Sequence, residues 1–261
     1  MLGESKMKTA DIGSIRLAYV RRGAGVPLLL VHGYPLDHSI WGPVADHLAG
    51  DFDVIMPDLR GFGSSSVVEE PYSMDDMATD LAGLLDRLGI EQAFIAGHSM
   101  GGYVALAFLR NYGPRVLGLA LISSQAAADP EDRKAGRYKT AADVAENGTD
   151  AVVEGLVAKL SPIPAVQEAM RALMRKQSAG GIVGALKAMA ERRESSDLLA
   201  GLKAPLVLIH GDADALIPVD RARDMKATVP AAILVEMPGV GHMPMLEVPP
   251  QTAAALRRLS E

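Results

Sequence analysis

Residues 92–112 read QAFIAGHSMGGYVALAFLRNY, and this stretch decides the fold. The apolar run at 92–97 predicts a buried strand, and the pattern at 101–112 predicts a helix. Between them, residues 97–101 have the form G-x-S-x-G, with Ser99 at the centre. A turn this sharp needs glycine on both sides of the serine, because larger side chains would collide with the neighbouring element. The stretch therefore predicts a strand-turn-helix unit that exposes the Ser99 hydroxyl above a sheet.

Strands and helices alternate through most of the remaining chain, which predicts an α/β fold with a parallel sheet and helices on both faces. The strand predicted at 14–22 is the first along the chain; its side chains alternate only loosely, and it is a candidate for antiparallel pairing. The other predicted strands cover 27–32, 53–57, 116–123, 205–210 and 233–237. The other predicted helices cover 74–88, 220–228 and the segment from about 245 onward.

The alternation is interrupted by a stretch at 125–201 that contains no convincing strand and is rich in Ala, Glu, Lys, Arg and Met. A structureless loop of that length is improbable, so we expect several helices. Their predicted breaks are at 147–148, 161–164 and 180–181. The sequence therefore predicts a core domain at 1–124 and 203–261, with a helical cap (lid) at 125–202. Such a cap would cover the carboxyl edge of the sheet, where ligands of α/β proteins bind.

Composition excludes several classes of function. The chain has 261 residues, 49% of them hydrophobic, a formal net charge of −6 and no cysteine. The acidic balance argues against a nucleic-acid partner, and the lack of cysteine excludes disulfides, thiolate catalysis and Cys-based metal sites. No secretory signal or membrane span is predicted, so a cytoplasmic protein is expected. The composition leaves the oligomeric state open.

A serine hydroxyl is a poor nucleophile without a base and an acid to orient that base. In this architecture the order along the chain is nucleophile, acid, histidine. His242, which follows the last predicted strand, fits the base. After the strand at 205–210, Asp212 and Asp214 compete for the role of the acid; we favour Asp214 and expect Asp212 to fix the loop. The predicted catalytic residues are therefore Ser99, Asp214 and His242.

An oxyanion hole would need two backbone N–H groups near the serine. Met100 supplies one of them at the start of the predicted helix, and Tyr34, after the strand at 27–32, supplies the other. Pro35 has no N–H and is a candidate for a cis peptide bond in this turn. His32 is expected to be a buried brace for the loop.

Other positions carry weaker expectations. Trp41 lies near the oxyanion loop and is a candidate substrate contact, although core packing fits it equally well. Asp58 and Arg60 are candidates for a structural ion pair under the site. Five apolar residues of the cap are candidate ligand contacts, though most of them are expected in helix–helix packing: Leu156, Leu160, Met170, Met174 and Met189.

Together these residues resemble the α/β-hydrolase superfamily. The shared motifs are HGYP (32–35), DLRGFGSS (58–65), GHSMGG (97–102), GDAD (211–214) and GVGHMPMLE (239–247). The resemblance covers about 14–124 and 203–261. It implies a three-layer α/β-hydrolase fold, with a mostly parallel eight-stranded sheet and a cap inserted after the sixth strand. It also implies the roles already predicted for Ser99, Asp214, His242, Tyr34 and Met100.

HGYP is also similar to the loop of epoxide hydrolases and haloalkane dehalogenases, which use an aspartate nucleophile. Those enzymes form an alkyl ester on the aspartate, which is then hydrolysed. Ser99 at that position would form an alkyl ether, which could not be hydrolysed in the same way, so this residue argues against both activities. The chain is instead similar to serine esterases, lactonases and cofactor-free haloperoxidase-like enzymes.

The expected function is a carboxylesterase that cleaves small carboxylic esters through an acyl-enzyme and needs no metal or organic cofactor. A lactonase or a perhydrolase would use the same triad. A non-catalytic small-molecule receptor is the alternative from another class. A protease is disfavoured, because a cap would restrict access to the site.

Overall fold

Short apolar runs form the strands of a central sheet in the computed structural model, which describes residues 6–261. The four central runs are buried along their whole length or nearly so, as expected for strands covered on both faces. The strands are β1 (Lys8–Ile12), β2 (Ile15–Gly23), β3 (Val26–Val31), β4 (Phe52–Pro57), β5 (Ala93–His98), β6 (Val116–Ile122), β7 (Leu206–Gly211) and β8 (Ile233–Met237).

The eight strands form one sheet in the order β1-β2-β4-β3-β5-β6-β7-β8. β2 pairs antiparallel with both β1 and β4, and every pair from β4 through β8 is parallel. The predicted α/β-hydrolase fold, with its mostly parallel eight-stranded sheet, is therefore confirmed. The sequence missed only β1 among the strands.

Helices pack on both faces of this sheet or lie between β6 and β7. Within the described residues, none of them is long and apolar enough to cross a lipid bilayer. The helices are α1 (Gly42–Leu48), α2 (Met74–Arg87), α3 (Met100–Tyr112), α4 (Glu131–Asn147), α5 (Asp150–Leu160), α6 (Pro164–Met174), α7 (Ala179–Ala190), α8 (Ser196–Ala200), α9 (Asp220–Thr228), α10 (Pro244–Glu247) and α11 (Pro249–Arg257).

The alternation of side chains along β3 shows how the three layers hold together. Leu28 and Leu30 point into one core, and Leu29 and Val31 point into the other. The first core is packed against α1 and α11, and the second against α2 and α3. Because neighbouring side chains of a strand point to opposite faces, one apolar strand supplies both cores.

Five helices, α4 to α8, occupy the stretch between β6 and β7. The predicted breaks near 147–148 and 161–164 agree with the ends of α4 and α5. The break predicted at 180–181 is wrong, because Gly180 and Gly181 lie in the first turn of α7. A Cβ on Gly181 would lie 1.9 Å from the carbonyl oxygen of Gly61. Gly181 therefore allows the helix to approach the core backbone and does not end a helix.

Candidate active site

Ser99 lies in a strained turn between β5 and α3. Its backbone has φ 52° and ψ −116°, in a region that residues with a Cβ rarely adopt. A Cβ on Gly97 would lie 2.2 Å from the Gly101 oxygen, and a Cβ on Gly101 would lie 2.3 Å from the Val31 oxygen. Both glycines are therefore required by close backbone approach, for the reason that the G-x-S-x-G pattern predicted.

Hydrogen bonds from β6 and the loop after it hold this turn. The Ser99 N–H donates to the Ile122 carbonyl at 2.9 Å, and the Ser124 hydroxyl donates to the Ser99 carbonyl at 2.9 Å. The Gly102 N–H donates to the same carbonyl at 2.9 Å. These three hydrogen bonds fix the backbone of Ser99. The serine therefore keeps its strained conformation, with its side chain at the start of α3.

His242 and Asp214 form a buried pair at the carboxyl edge of the sheet. The His242 Nδ1 lies 2.7 Å from the Asp214 Oδ2, and the side chains are 2% and 0% exposed. Burial alone would raise the pKa of the Asp214 carboxyl. The nearby His242 and His210 rings and the Ile217 N–H outweigh burial and hold that pKa well below its ordinary value. Asp214 is therefore an anion, and it favours the His242 tautomer with the proton on Nδ1.

Further contacts fix the orientation of the Asp214 carboxylate. Its Oδ1 accepts hydrogen bonds from the Leu216 N–H at 2.8 Å and from the Ile217 N–H at 3.0 Å. The His210 Nε2 lies 3.3 Å from Oδ2 and 2.8 Å from the Ile217 carbonyl. His210 is thus a positioning residue that sequence reasoning did not assign to the site. Its place at the end of β7, four residues before Asp214, was the available signal.

The competing aspartate, Asp212, has the role that the sequence suggested for it. Its Oδ1 accepts a hydrogen bond from the Gly239 N–H at 2.7 Å, and the residue is exposed. Asp212 therefore joins the loops after β7 and β8, while Asp214 is the aspartate that contacts His242.

The loop that carries His242 is anchored on both sides. The Glu247 carboxylate accepts hydrogen bonds from the Gly241 N–H at 2.8 Å and the Met243 N–H at 3.2 Å. The His242 N–H donates to the Leu160 carbonyl at the end of α5, at 2.9 Å. The His98 Nε2 donates to the His242 carbonyl at 2.8 Å; burial holds the pKa of His98 well below its usual value, so this ring is neutral.

The loop after β3 carries Tyr34, which lines the same cavity as Ser99. Within residues 6–261, neither the Tyr34 N–H nor the Met100 N–H donates to a protein acceptor. The Tyr34–Pro35 peptide bond is cis. His32 braces the loop as expected: its Nδ1 donates to the Gly33 carbonyl at 2.9 Å, and its Nε2 accepts from the Leu59 N–H at 2.9 Å.

Ser99 and His242 line the same cavity, which has a volume of about 520 Å³. No hydrogen bond joins their side chains in the described part of the chain, and such bonds often tighten only when substrate binds. Most of the residues that line this cavity come from α4, α5 and α7, between β6 and β7. The other lining residues are Tyr34, Tyr103, Arg133, Gly136, Arg137, Thr140, Asp143, Ala151, Val152, Gly155, Leu156, Leu186, Met189, Leu216 and Ile217.

Two weaker expectations are wrong. Trp41 is fully buried against His98, with ring centroids 6.4 Å apart, and it belongs to the core rather than to the cavity wall. Its indole fills space between α1 and the sheet, so it is not the substrate contact that was predicted. Arg60 pairs with Asp80 of α2 at 2.5 Å, not with Asp58, because Asp58 is bound by His38.

Among the apolar candidates for ligand contact, Leu156 and Met189 line the cavity. Leu160, Met170 and Met174 are buried in the core against the sheet. The three are therefore packing residues, as expected for most of the set.

Comparison with known proteins identifies the family. The sequence profile of the alpha/beta hydrolase fold family matches residues 26–249. The chain is also 30% identical over 240 residues to the AB hydrolase superfamily protein YisY of Bacillus subtilis, covering 84% of this chain and 86% of that protein. The chain is an α/β hydrolase.

Solved structures of other α/β hydrolases superpose on it over nearly their full length. A thermophilic esterase from Thermogutta terrifontis, solved with malate bound, is 37% identical, covers 97% of both chains and has a TM-score of 0.92. A hydrolase from Pseudomonas aeruginosa is 25% identical, covers 100% of this chain and 99% of its own, and has a TM-score of 0.88.

Proposed function

We propose that this α/β hydrolase is a serine esterase that cleaves small carboxylic esters through an acyl-enzyme intermediate. The proposal rests chiefly on one observation. Ser99, in a strained turn, and His242, which is paired with buried Asp214, line one cavity although the three residues lie far apart along the chain. The similarity to the Thermogutta esterase agrees with this assignment.

In the first step, the Ser99 Oγ attacks the ester carbonyl while the His242 Nε2 takes the hydroxyl proton. Asp214 keeps the proton of His242 on Nδ1, so that Nε2 is free to accept, and then stabilises the imidazolium that forms. The carbonyl oxygen becomes an anion at this stage. The N–H groups of Tyr34 and Met100 would hold it, each contributing about 3 kcal/mol of transition-state stabilisation.

In the second step, the alcohol leaves with a proton from His242, and the Ser99 acyl ester remains. Water enters, gives a proton to His242, and its oxygen bonds to the acyl carbon. The bond between the Ser99 Oγ and the acyl carbon then breaks, His242 returns its proton to Oγ, and the carboxylic acid is released. We assign the cap role to 125–202, since α4, α5 and α7 of this stretch form much of the cavity wall and would limit the water and the size of substrate that enter.

Turnover of p-nitrophenyl acetate and butyrate by the wild type and by Ser99→Ala tests the proposal. Loss of the nucleophile should lower kcat by about 10⁶-fold. Ser260→Ala is the matched control, because Ser260 is an exposed serine near the C-terminus outside the cavity, and it should keep wild-type activity. Equal rates for the wild type and Ser99→Ala would refute the assignment.

A fluorophosphonate probe gives a second readout that needs no turnover. It should add its mass to the Ser99 peptide of the wild type and leave Ser99→Ala unlabelled. A panel of lactones, and of acetate with peroxide, run beside the esters would separate an esterase from a lactonase or a perhydrolase, which would use the same residues.

A further inference from the structure

One face of α4 contributes two arginines to the wall of the cavity that Ser99 also lines. Residues 133, 136, 137 and 140 all line the cavity, at the i, i+3, i+4, i+7 spacing of a helix face. Gly136 and Thr140 are small and leave space. Arg133 and Arg137, one turn apart, therefore present their side chains to the same cavity as the candidate nucleophile.

The positive charge of these two guanidinium groups is only partly neutralised by carboxylates in the described protein. Both approach the buried carboxylate of Asp129, Arg137 by a direct hydrogen bond and Arg133 at 3.5 Å. A third cation, Arg192, also binds Asp129, at 2.8 Å. One carboxylate thus faces three arginines, and the cluster keeps a surplus of two positive charges.

Arg192 is occupied by other protein groups. It donates to the Met189 and Ala127 carbonyls at 3.0 and 2.8 Å, and its guanidinium lies 4.2 Å from the centre of the Tyr103 ring. It is 7% exposed and does not line the cavity. Arg192 is therefore held by protein groups alone, and the positive charge that a ligand in the cavity could reach lies on Arg133 and Arg137.

Arg133 and Arg137 both keep donors for a ligand. The Arg133 side chain is 44% exposed, and its long ion pair with Asp129 is its sole polar contact in the described chain. Arg137 uses Nε for Asp129 and Nη1 for the Met189 sulfur, while its Nη2 has no partner within residues 6–261. A planar guanidinium with unused N–H groups matches the geometry of a carboxylate.

Other charges around the cavity do not cancel this surplus at the same place. Asp143, the one acidic residue on the cavity wall among the described residues, lies six residues beyond Arg137 on α4 and accepts a hydrogen bond from Asn147 at 2.8 Å. Arg137 also lies within electrostatic range of Tyr34. Burial raises the pKa of the Tyr34 hydroxyl, and the Arg137 charge lowers it in part. Arg137 and Tyr34, which lies in the loop after β3, both line the cavity.

We infer that Arg133 and Arg137 form a subsite for a carboxylate, so that the preferred substrates are esters that carry a second, free carboxylate group. This inference rests on the proposed esterase function. Hydrolysis of such a half-ester adds the elements of water across the ester bond. If the charge lies in the acyl part, hydrolysis releases the alcohol and a dicarboxylate; if it lies in the alcohol part, hydrolysis releases a hydroxycarboxylate and the carboxylic acid of the acyl part.

Two matched pairs of esters test the subsite. Monomethyl adipate is compared with methyl 6-methylheptanoate, and 4-acetoxybutanoate is compared with 4-methylpentyl acetate. In each pair an isopropyl group replaces the carboxylate, so that shape is kept and charge is removed. The wild type should favour the charged member of at least one pair in kcat/KM.

Arg133→Gln is the decisive variant, because Arg133 is half-exposed and Asp129 keeps two other arginines. It should lower the charged-to-neutral ratio of kcat/KM by about tenfold or more, the value of a charge-assisted hydrogen bond. Arg175→Gln removes an exposed cation of the same insertion that does not line the cavity, and it should leave the ratio unchanged. An unchanged charged-to-neutral ratio of kcat/KM in Arg133→Gln would overturn the inference.

Arg137→Gln alone would remove the direct hydrogen bond that Arg137 donates to the buried carboxylate of Asp129, so it is combined with Asp129→Asn. The double variant should lose the same preference while keeping a cooperative thermal unfolding transition. If it unfolds, the Arg133 result still decides.

Binding separates the failure of the subsite from the failure of the esterase proposal. Calorimetric titration of adipate into Ser99→Ala should show binding that Arg133→Gln, added to Ser99→Ala, weakens about tenfold. If neither ester of a pair is hydrolysed by Ser99 but adipate binds in this manner, the esterase proposal fails and the subsite stands. If neutral esters are cleaved and adipate does not bind, the subsite fails alone.

Discussion

Two His–Asp pairs lie at the same edge of the sheet and differ in what surrounds them. The His242 Nδ1 lies 2.7 Å from Asp214, and the His38 Nδ1 lies 2.6 Å from Asp58. Both carboxylates have no exposed surface, and each aspartate follows the end of a strand, β7 or β4. The histidine–carboxylate contact by itself therefore does not identify a catalytic base.

The surroundings of each pair make the difference. His242 lines the cavity that contains Ser99, whereas His38 does not line it. Asp58 also accepts the His38 N–H and the Ser64 N–H, each at 2.9 Å, so its carboxylate closes two loops. The second pair is a brace for the loops beside the site. Asp37 lies close enough to His38 and Asp58 to join them in holding a cation. Its carboxylate instead accepts hydrogen bonds from Ser39 and Gln177.

Replacing the two histidines should give the largest contrast. His242→Gln should lower kcat for p-nitrophenyl butyrate by about 10⁶-fold, because the serine loses its base. His38→Gln should keep kcat/KM within about threefold of the wild type, because it contacts no reacting atom. Circular dichroism confirms that both variants are folded. Comparable losses in the two variants would show that the pairs are not functionally distinct.

Among the aspartates, Asp214→Asn and Asp212→Asn give the next contrast. An asparagine at 214 keeps the Leu216 and Ile217 hydrogen bonds but favours the wrong His242 tautomer, so kcat should fall by about 10⁴-fold. An asparagine at 212 should change kcat by about threefold or less, because its oxygen still accepts from Gly239. Steady-state kinetics at one pH checks both. A larger loss at 212 than at 214 would reverse the assignment of the acid.

The smallest effect concerns the pH dependence of stability at the His38–Asp58 pair. Burial alone would lower the pKa of His38, but Asp58 raises it above its ordinary value of 6.5. Burial alone would raise the pKa of Asp58, but His38 and Ser64 lower it below 3.8. The His38 contribution to stability is therefore complete below pH 6.5 and is lost as pH rises through its folded pKa. The Asp58 contribution is complete above pH 3.8 and is lost as pH falls through its own.

Urea unfolding at pH 5.5 and pH 9 of the wild type and His38→Gln measures this effect. The difference in free energy of unfolding between the two proteins should be larger at pH 5.5, by about 1 kcal/mol. The same difference at both pH values would show that charge on His38 does not contribute. Ser99 chemistry plays no part in this readout, so it isolates the His38–Asp58 pair from the His242–Asp214 pair.

Much of the site could be predicted because its residues lie where local patterns place them. The glycines around Ser99 predicted a turn that they alone permit, and the position of His242 after β8 follows from chain order. The position of Trp41 could not be predicted, since a residue near the oxyanion loop in sequence can point to the core or to the cavity. The partner of Arg60 was missed because Asp80 is brought to it by the packing of α2.

The sequence by itself determined the alternation of strands and helices, the sharp turn at Ser99 and the set of residues able to act as acid and base. These follow from periodicity, turn geometry and side-chain chemistry, which are local properties. Only the tertiary structure decided that Asp214 rather than Asp212 contacts His242, that His210 orients this carboxylate and that two arginines of α4 face the cavity. These facts depend on how distant segments pack, and packing contacts between segments leave no pattern in a single sequence.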